Sequence, residues 1–298
     1  MARLSKPGPF VPYKIGKLAS SWLTRAIRSF PWKTALVLWL SASLTTPLLV
    51  PYLFGLFEKA PNAPVLPDGV GWVLARRLTI RHGMILLIPA FVGLWLARRV
   101  GWGAPYLECA LDRAAKPGMA FGQVARRAAV AGIWVAAVLF ALEAMFYYGL
   151  NVTAPAPEVH ARIGVAAWRG GLATLRAALA EEVFCRLFLQ SLLAVVLLTL
   201  LRIRNAGPAR EAMLWLATAG GAFVFAWLHL SNQEVYAATV PPLVYLRTML
   251  LTGTAGILLG RVFWKGGLEA AILAHAVAGG ILQVLRPLGE AVWAGMFR

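Results

Sequence analysis

Acidic residues are scarce in this chain: 12 Asp and Glu stand against 29 Lys and Arg over 298 residues, for a formal net charge of +17. Charge of either sign is thin, at 14%, where a soluble domain carries about 25%. With 60% apolar residues and a mean hydropathy of +0.70, the composition excludes an ordinary soluble domain and implies a polytopic membrane protein. Only two cysteines occur, Cys109 and Cys185, which excludes a disulfide framework or a zinc-finger spacing. No alternating strand pattern is present. A membrane barrel is therefore excluded, and helices remain as the way to satisfy the backbone in lipid. No internal repeat is visible, so an inverted-repeat transporter gains no support.

The positive charge lies between apolar runs, where the positive-inside rule and anionic headgroups put it. Neither a nucleic-acid motif nor a soluble domain accompanies it, so nucleic acid is not expected as a partner. Residues 1–34 hold Arg3, Lys6, Lys14, Lys17, Arg25, Arg28 and Lys33 and no acid. Ile15, Leu18, Trp22, Ile27 and Phe30 recur there at roughly helical spacing, which predicts a basic amphipathic segment lying on anionic lipid. Its length and basicity argue against a cleaved signal peptide.

Residues 35–298 read as the membrane domain. Expected spans are 35–57, 79–97, 128–150, 183–201, 212–230, 240–262 and 268–285, each near the ~20 residues a crossing helix needs. Pro47 and Pro51 should kink or end the first. A separate helix is expected over 163–180, and the tail 288–297 reads as interfacial or as a partial span. The fold class is thus all-α, a polytopic bundle of about seven or eight helices. Basic residues including Arg98, Arg99 and Arg113 put the loop after the second span in the cytoplasm, and with it the N-terminus, in the cell (inner) membrane. Arg76, Arg77 and Arg81 weigh the other way.

Polar residues inside these runs are the candidates for chemistry, because a charge at membrane depth costs on the order of 2.5–3.5 kcal/mol. Glu181-Glu182-Val-Phe-Cys185-Arg186 opens the run Val183–Leu201. Glu182 and Arg186 are one helical turn apart, while Glu181 lies about 100° round the axis. Arg186 can therefore pair with one carboxylate and leave the other free, and two carboxylates in different environments suit general acid–base work. A structural ion pair is the plainer reading. His229 ends a later span and His275 sits inside the last one, among Ala and Gly. Taken singly, each reads as an interfacial or packing histidine. His82 and His160 look incidental.

The pattern resembles the CPBP (Abi) family of intramembrane proteases, relatives of the CAAX prenyl endopeptidase. Glu181-Glu182-x-x-x-Arg186, Phe225-x-x-x-His229 and the stretch Gly267-Leu-Glu-Ala-Ala-Ile-Leu-Ala-His275 carry the resemblance, over roughly residues 160–285. It implies a glutamic-type peptidase that cuts a membrane-anchored peptide or protein. Glu181 would activate water beside His229, Glu182 and Arg186 would orient the site, and His275 would stabilise the oxyanion. No cofactor is implied, although two Glu and two His could hold zinc.

Two departures stand out. Where the family usually has Asn or Asp, four residues after the last His, this chain has Gly279, and Asn232 is a possible substitute. Cys185 replaces the usual aromatic residue and reads as packing, with a thiol nucleophile paired to His229, as in a sorting transpeptidase, as the other reading. Outside the hydrolases, the alternatives are a non-catalytic scaffold or immunity protein that keeps the motif for packing, and a proton-relay transporter.

Overall fold

The computed structural model describes residues 30–57, 67, 69–152, 167–203, 205–234, 240–286 and 288, without the side chains of 231–234. Chain contacts divide it into a unit of residues 1–31 and a unit of residues 32–298. The amphipathic segment expected over 1–34 lies almost wholly outside the described residues, as does the tail expected over 288–297, of which only Leu288 is described.

Helix α1, Trp32–Leu44, follows Pro31. Pro47 cannot donate a backbone hydrogen bond, and the chain tightens there into a 3-10 turn, Thr46–Leu49, before α2, Val50–Phe57. Helix α3, Val70–Val100, is longer than its apolar run suggests. Its first turns hold Arg76, Arg77 and Arg81, all exposed, whose long stems let the charges leave the apolar zone. A short helix α4, Pro105–Asp112, precedes α5, Phe121–Ala144, which runs on as a π turn, Met145–Gly149.

The acidic motif departs most from its expected setting. The helix expected over 163–180 and the span expected over 183–201 are one continuous rod, Ala167–Leu200. It consists of α6, Ala167–Glu181, a π-helical stretch, Glu182–Gln190, and α7, Ser191–Leu200. Arg169 and Arg176 lower the hydropathy of the first half, which is why the sequence reads as two pieces. The glutamates therefore sit near the middle of a crossing helix and not at its mouth. Helices α8, Pro208–Glu234, α9, Pro242–Gly266, and α10, Leu268–Gly280, complete the bundle, the last continuing as a π turn, Ile281–Leu285.

Among the described residues, seven helical segments are long and apolar enough to cross a membrane, and there is no strand. Large apolar side chains such as Trp72, Met84, Ile88 and Trp134 are exposed on the outside of the bundle, as lipid contact requires. The fold is an all-α, multi-pass membrane bundle, as the sequence implies.

Small residues set the packing. Ala270, Ala274 and Ala278 of α10 pack on Val124, Ala128 and Val135 of α5. At Gly93 of α3, a Cβ would lie 3.0 Å from the Phe188 Cα, so α3 touches the backbone of the π stretch directly. Polar clamps add direction. Arg247 of α9, itself buried, grips Glu143 of α5 through Nε and Nη2 at 2.9 and 2.6 Å. Gly267, at φ 84°, turns α9 into α10, and Glu269 just beyond accepts the N–H groups of Tyr106 and Leu107 at 3.0 and 2.9 Å, capping α4.

Asp112 does the same for α1. Its carboxylate accepts the Thr34 hydroxyl at 2.6 Å and the N–H groups of Thr34 and Lys33 at 2.9 and 3.2 Å. Burial alone would push this carboxyl up, but the Thr34 and Lys33 bonds and the Lys33 charge hold it below the usual carboxylate range. A depressed folded pKa contributes stability above the unfolded value, about 3.9, and that stability is lost as pH falls through the folded value. Asp112→Ala should cost about 1 kcal/mol at neutral pH, the usual worth of a cap, and much less well below pH ~4. Denaturation midpoints in detergent at the two pH values measure this, and an equal deficit at both would contradict the cap.

Candidate active site

The π-helical stretch carries the polar centre. Its i→i+5 bonding begins at Glu182, where the α-helical pattern of α6 ends. Glu182 has 0% exposure and Arg186 1%. Arg186 Nε stands 3.4 Å from Glu182 Oε2, and His275 Nδ1 of α10 stands 2.9 Å from Glu182 Oε1. The partner of Nδ1 is a carboxylate, so the ring donates there and keeps Nε2 for other work. One buried carboxylate thus holds a cation on its own helix and an imidazole on another.

From Arg186 the site extends to α8. The guanidinium lies 4.9 Å from the ring centroid of Phe225, a buried residue, in reach of a cation–π interaction. Phe225 in turn meets the His229 ring edge to face, with centroids 4.5 Å apart. His229 Nδ1 donates to the Phe225 carbonyl at 2.8 Å. That bond assigns the proton to Nδ1 and leaves Nε2 of the neutral ring as an acceptor. Phe225-x-x-x-His229 is therefore a unit in which the aromatic residue seats the arginine and its backbone orients the histidine.

Glu181 is the freer of the two acids. It is partly exposed, and its nearest ion pair is a long one, with Arg176 Nη1 at 3.9 Å. Arg186 pairs with Glu182, one turn away, and Glu181 meets a different cation, Arg176. Three helical segments contribute: the rod through Glu181, Glu182 and Arg186, α8 through Phe225 and His229, and α10 through His275.

Cys185 is 2% exposed, which fits a packing residue. The side chain of Asn232 lies outside the described residues. Among the described residues, no three His, Cys, Asp or Glu side chains are arranged to hold a metal ion.

Two polar residues escaped the sequence reading. Gln190 closes the π stretch, donating through Nε2 to Thr218 Oγ1 at 2.9 Å and to the Gly260 carbonyl at 3.2 Å. A lone Gln in a leucine run gave no signal of its own. Thr174 of α6 fills the space beside Gly279: a Cβ on Gly279 would stand 2.6 Å from Thr174 Cγ2 and 3.1 Å from its Oγ1. The Thr174 hydroxyl is buried and has no hydrogen-bond partner among the described residues. Gly279 is one turn beyond His275 on the same face of α10, so this hydroxyl lies next to the histidine's pocket.

Removing one partner of a buried ion pair strands the other charge. Arg186→Ala should lower stability by about 3–5 kcal/mol, whereas Glu182→Gln with Arg186→Met should restore much of it. Folded yield and thermal midpoint in detergent measure both, and a benign single substitution would show that Arg186 does not hold Glu182.

No curated protein matches the chain, and no solved structure does. Residues 163–281, which contain all three motifs, match the family model described as type II CAAX prenyl endopeptidase Rce1-like. The resemblance carried by Glu181-Glu182-x-x-x-Arg186, Phe225-x-x-x-His229 and His275 is borne out: this part of the chain is similar to the CAAX-type intramembrane proteases that the family model describes.

Proposed function

We propose that the chain is a glutamic-type intramembrane endopeptidase that cuts a membrane-anchored peptide or protein with a water molecule activated by Glu181. The observation that carries this reading is the buried Glu182–Arg186–His275 cluster with the less constrained Glu181 beside it. Glu182, buried, hydrogen-bonded by His275 and ion-paired with Arg186, serves as the fixed electrostatic centre. Glu181 keeps a lone pair for general-base work. The Nε2 of His229 accepts a hydrogen bond from the same water and aims its oxygen at the scissile carbonyl.

Attack forms a C–O bond and puts negative charge on the former carbonyl oxygen. A carboxylate on Nδ1 supports the charged form of the His275 ring, whose Nε2–H then donates to that oxygen. Thr174 Oγ1 supplies a second donor from α6, in the place that Gly279 leaves open on α10. The proton taken by Glu181 passes to the leaving nitrogen as the C–N bond breaks, giving an acid and an amine. Arg186, held by Glu182 and Phe225, keeps both histidine-bearing helices in register. Anchoring in the cell membrane with a cytoplasmic N-terminus belongs to the same proposal. A hydrolysis of this kind draws on no metal, so cleavage should resist chelators.

Gly279 would favour a non-catalytic scaffold if its surroundings were merely apolar. A buried hydroxyl without a partner in that space favours the hydrolase instead.

Glu181→Gln and His229→Ala, at matched membrane abundance, should each remove product formation from a membrane-anchored reporter. Cleavage by both variants at the parental rate would reject the assignment. Thr174→Val keeps the shape and removes the donor, so kcat should fall about 10²-fold, the usual loss for one oxyanion donor. Gly279→Asn alone should disturb folding through its clash with Thr174. Thr174→Ala combined with Gly279→Asn should recover both fold and cleavage, and full activity in Thr174→Val would assign the hydroxyl a packing role only.

A further inference from the structure

Where α3 and α7 finish and α8 begins, a cleft of about 420 Å³ opens between the helix ends. Its lining includes Arg99, Arg202 and Arg210, with Thr199, over a floor that includes Val195 and Leu198. No acidic residue lines it. This is the size of ordinary ligand sites, which run about 300–1,000 Å³. The three arginines come from the ends of three different spans and lie far along the rod from Glu182.

A plainer role for these cations is to offset the C-terminal dipoles of α3 and α7. Arg210 does so in part, donating through Nη2 to the Val100 carbonyl at 3.1 Å. Two helix ends present only about −0.5 charge each, against three full positive charges. Arg99 is stacked on Trp95, 3.8 Å from the ring centroid. That contact fixes the guanidinium plane without using its N–H donors. Arg202 is exposed and sits on a left-handed turn, φ 53°, that carries the chain away from the end of α7. A cationic surplus therefore faces the cleft.

The cleft lies at the depth where apolar runs end. Leu200 and Leu201 beside it are exposed on the outside of the bundle. Basic residues above and aliphatic residues below match a molecule that is anionic at one end and apolar at the other. We propose that this cleft binds the phosphate of an anionic phospholipid, with Arg99, Arg202 and Arg210 around the phosphate and Val195 and Leu198 against the glycerol and first acyl carbons. The site is separate from the basic segment 1–34 and independent of the proteolytic reading.

The test is a titration of short-chain phosphatidylglycerol into the purified full chain in neutral detergent, with phosphatidylcholine and inorganic phosphate as the other arms. Phosphatidylglycerol should bind saturably, phosphatidylcholine and phosphate far more weakly. Each arginine near the surface contributes about a fivefold factor in affinity. Arg99→Gln with Arg202→Gln, which leaves the α3 cap by Arg210 in place, should therefore weaken binding about 25-fold. A further Arg210→Gln should weaken it again if the protein still folds. Unchanged affinity in the double variant would overturn the site. Phosphate binding as tightly as the lipid, and competing with it, would show a free-anion site and overturn the lipid assignment.

Discussion

Glu182 is a carboxylate with no exposure in the interior of a membrane bundle, and such a group persists as an ion only if its charge is met on the spot. Oε1 is hydrogen-bonded by His275, and Oε2 faces Arg186 at ion-pair distance, 3.4 Å, without a hydrogen bond among the described residues. The first commitment fixes the rotation of α10 about the rod. The second makes Arg186 a buried cation that needs its own surroundings, and the face of Phe225 supplies them. Phe225 fixes α8, and one turn on its carbonyl orients His229. The relative placement of the candidate catalytic side chains follows from satisfying one buried negative charge.

The backbone accommodates this with an unusual segment. The π stretch begins and ends on a polar residue, Glu182 and Gln190, and each of them bonds to neighbouring helices. Between them, Val183, Cys185 and Leu187 are buried and apolar. An α-helix would rotate Gln190 to another azimuth relative to Glu182, so the i→i+5 pattern sets which helices the two ends can reach. Gly93 makes room for the wider turn by letting α3 approach the Phe188 backbone. The stretch is stable because both of its ends are anchored, whereas an isolated π turn has poorer hydrogen-bond geometry than the α-helix it replaces.

Membrane class, span number and the three motifs were legible because each depends on local sequence: hydropathy over ~20 residues, or spacing within one or two turns. The pairing of Arg186 with Glu182 was legible for the same reason, since the two are four residues apart. The length of the acidic rod was not. Hydropathy treats Arg176 as the end of a span, while the bundle buries its stem beside Glu181. Thr174 was invisible too. It lies against the space left by Gly279 on α10, and no spacing within α6 encodes a gap on another helix. The clamp of Arg247 on Glu143 joins residues 104 positions apart, with nothing local in either helix to announce it.

Scarcity of acid explains where the remaining charges go. The described acids with resolved surroundings are Glu108, Asp112, Glu143, Glu181, Glu182, Glu211 and Glu269. All but the exposed Glu211 cap a helix, meet a cation, or do both. Most of the described carboxylates thus serve local structure, and the excess of Lys and Arg around them is balanced by other means. Helix C-termini take part of it, as Arg210 does at Val100. Aromatic faces take another part, with Arg99 on Trp95 and Arg261 between Trp215 and Trp264. These are weak partners, worth about 0.5–1 kcal/mol each at exposed sites. A chain built this way is electrostatically incomplete by itself at its basic end. The anions abundant at that depth are lipid phosphates, so the imbalance in composition and the arginine-lined cleft have one physical origin.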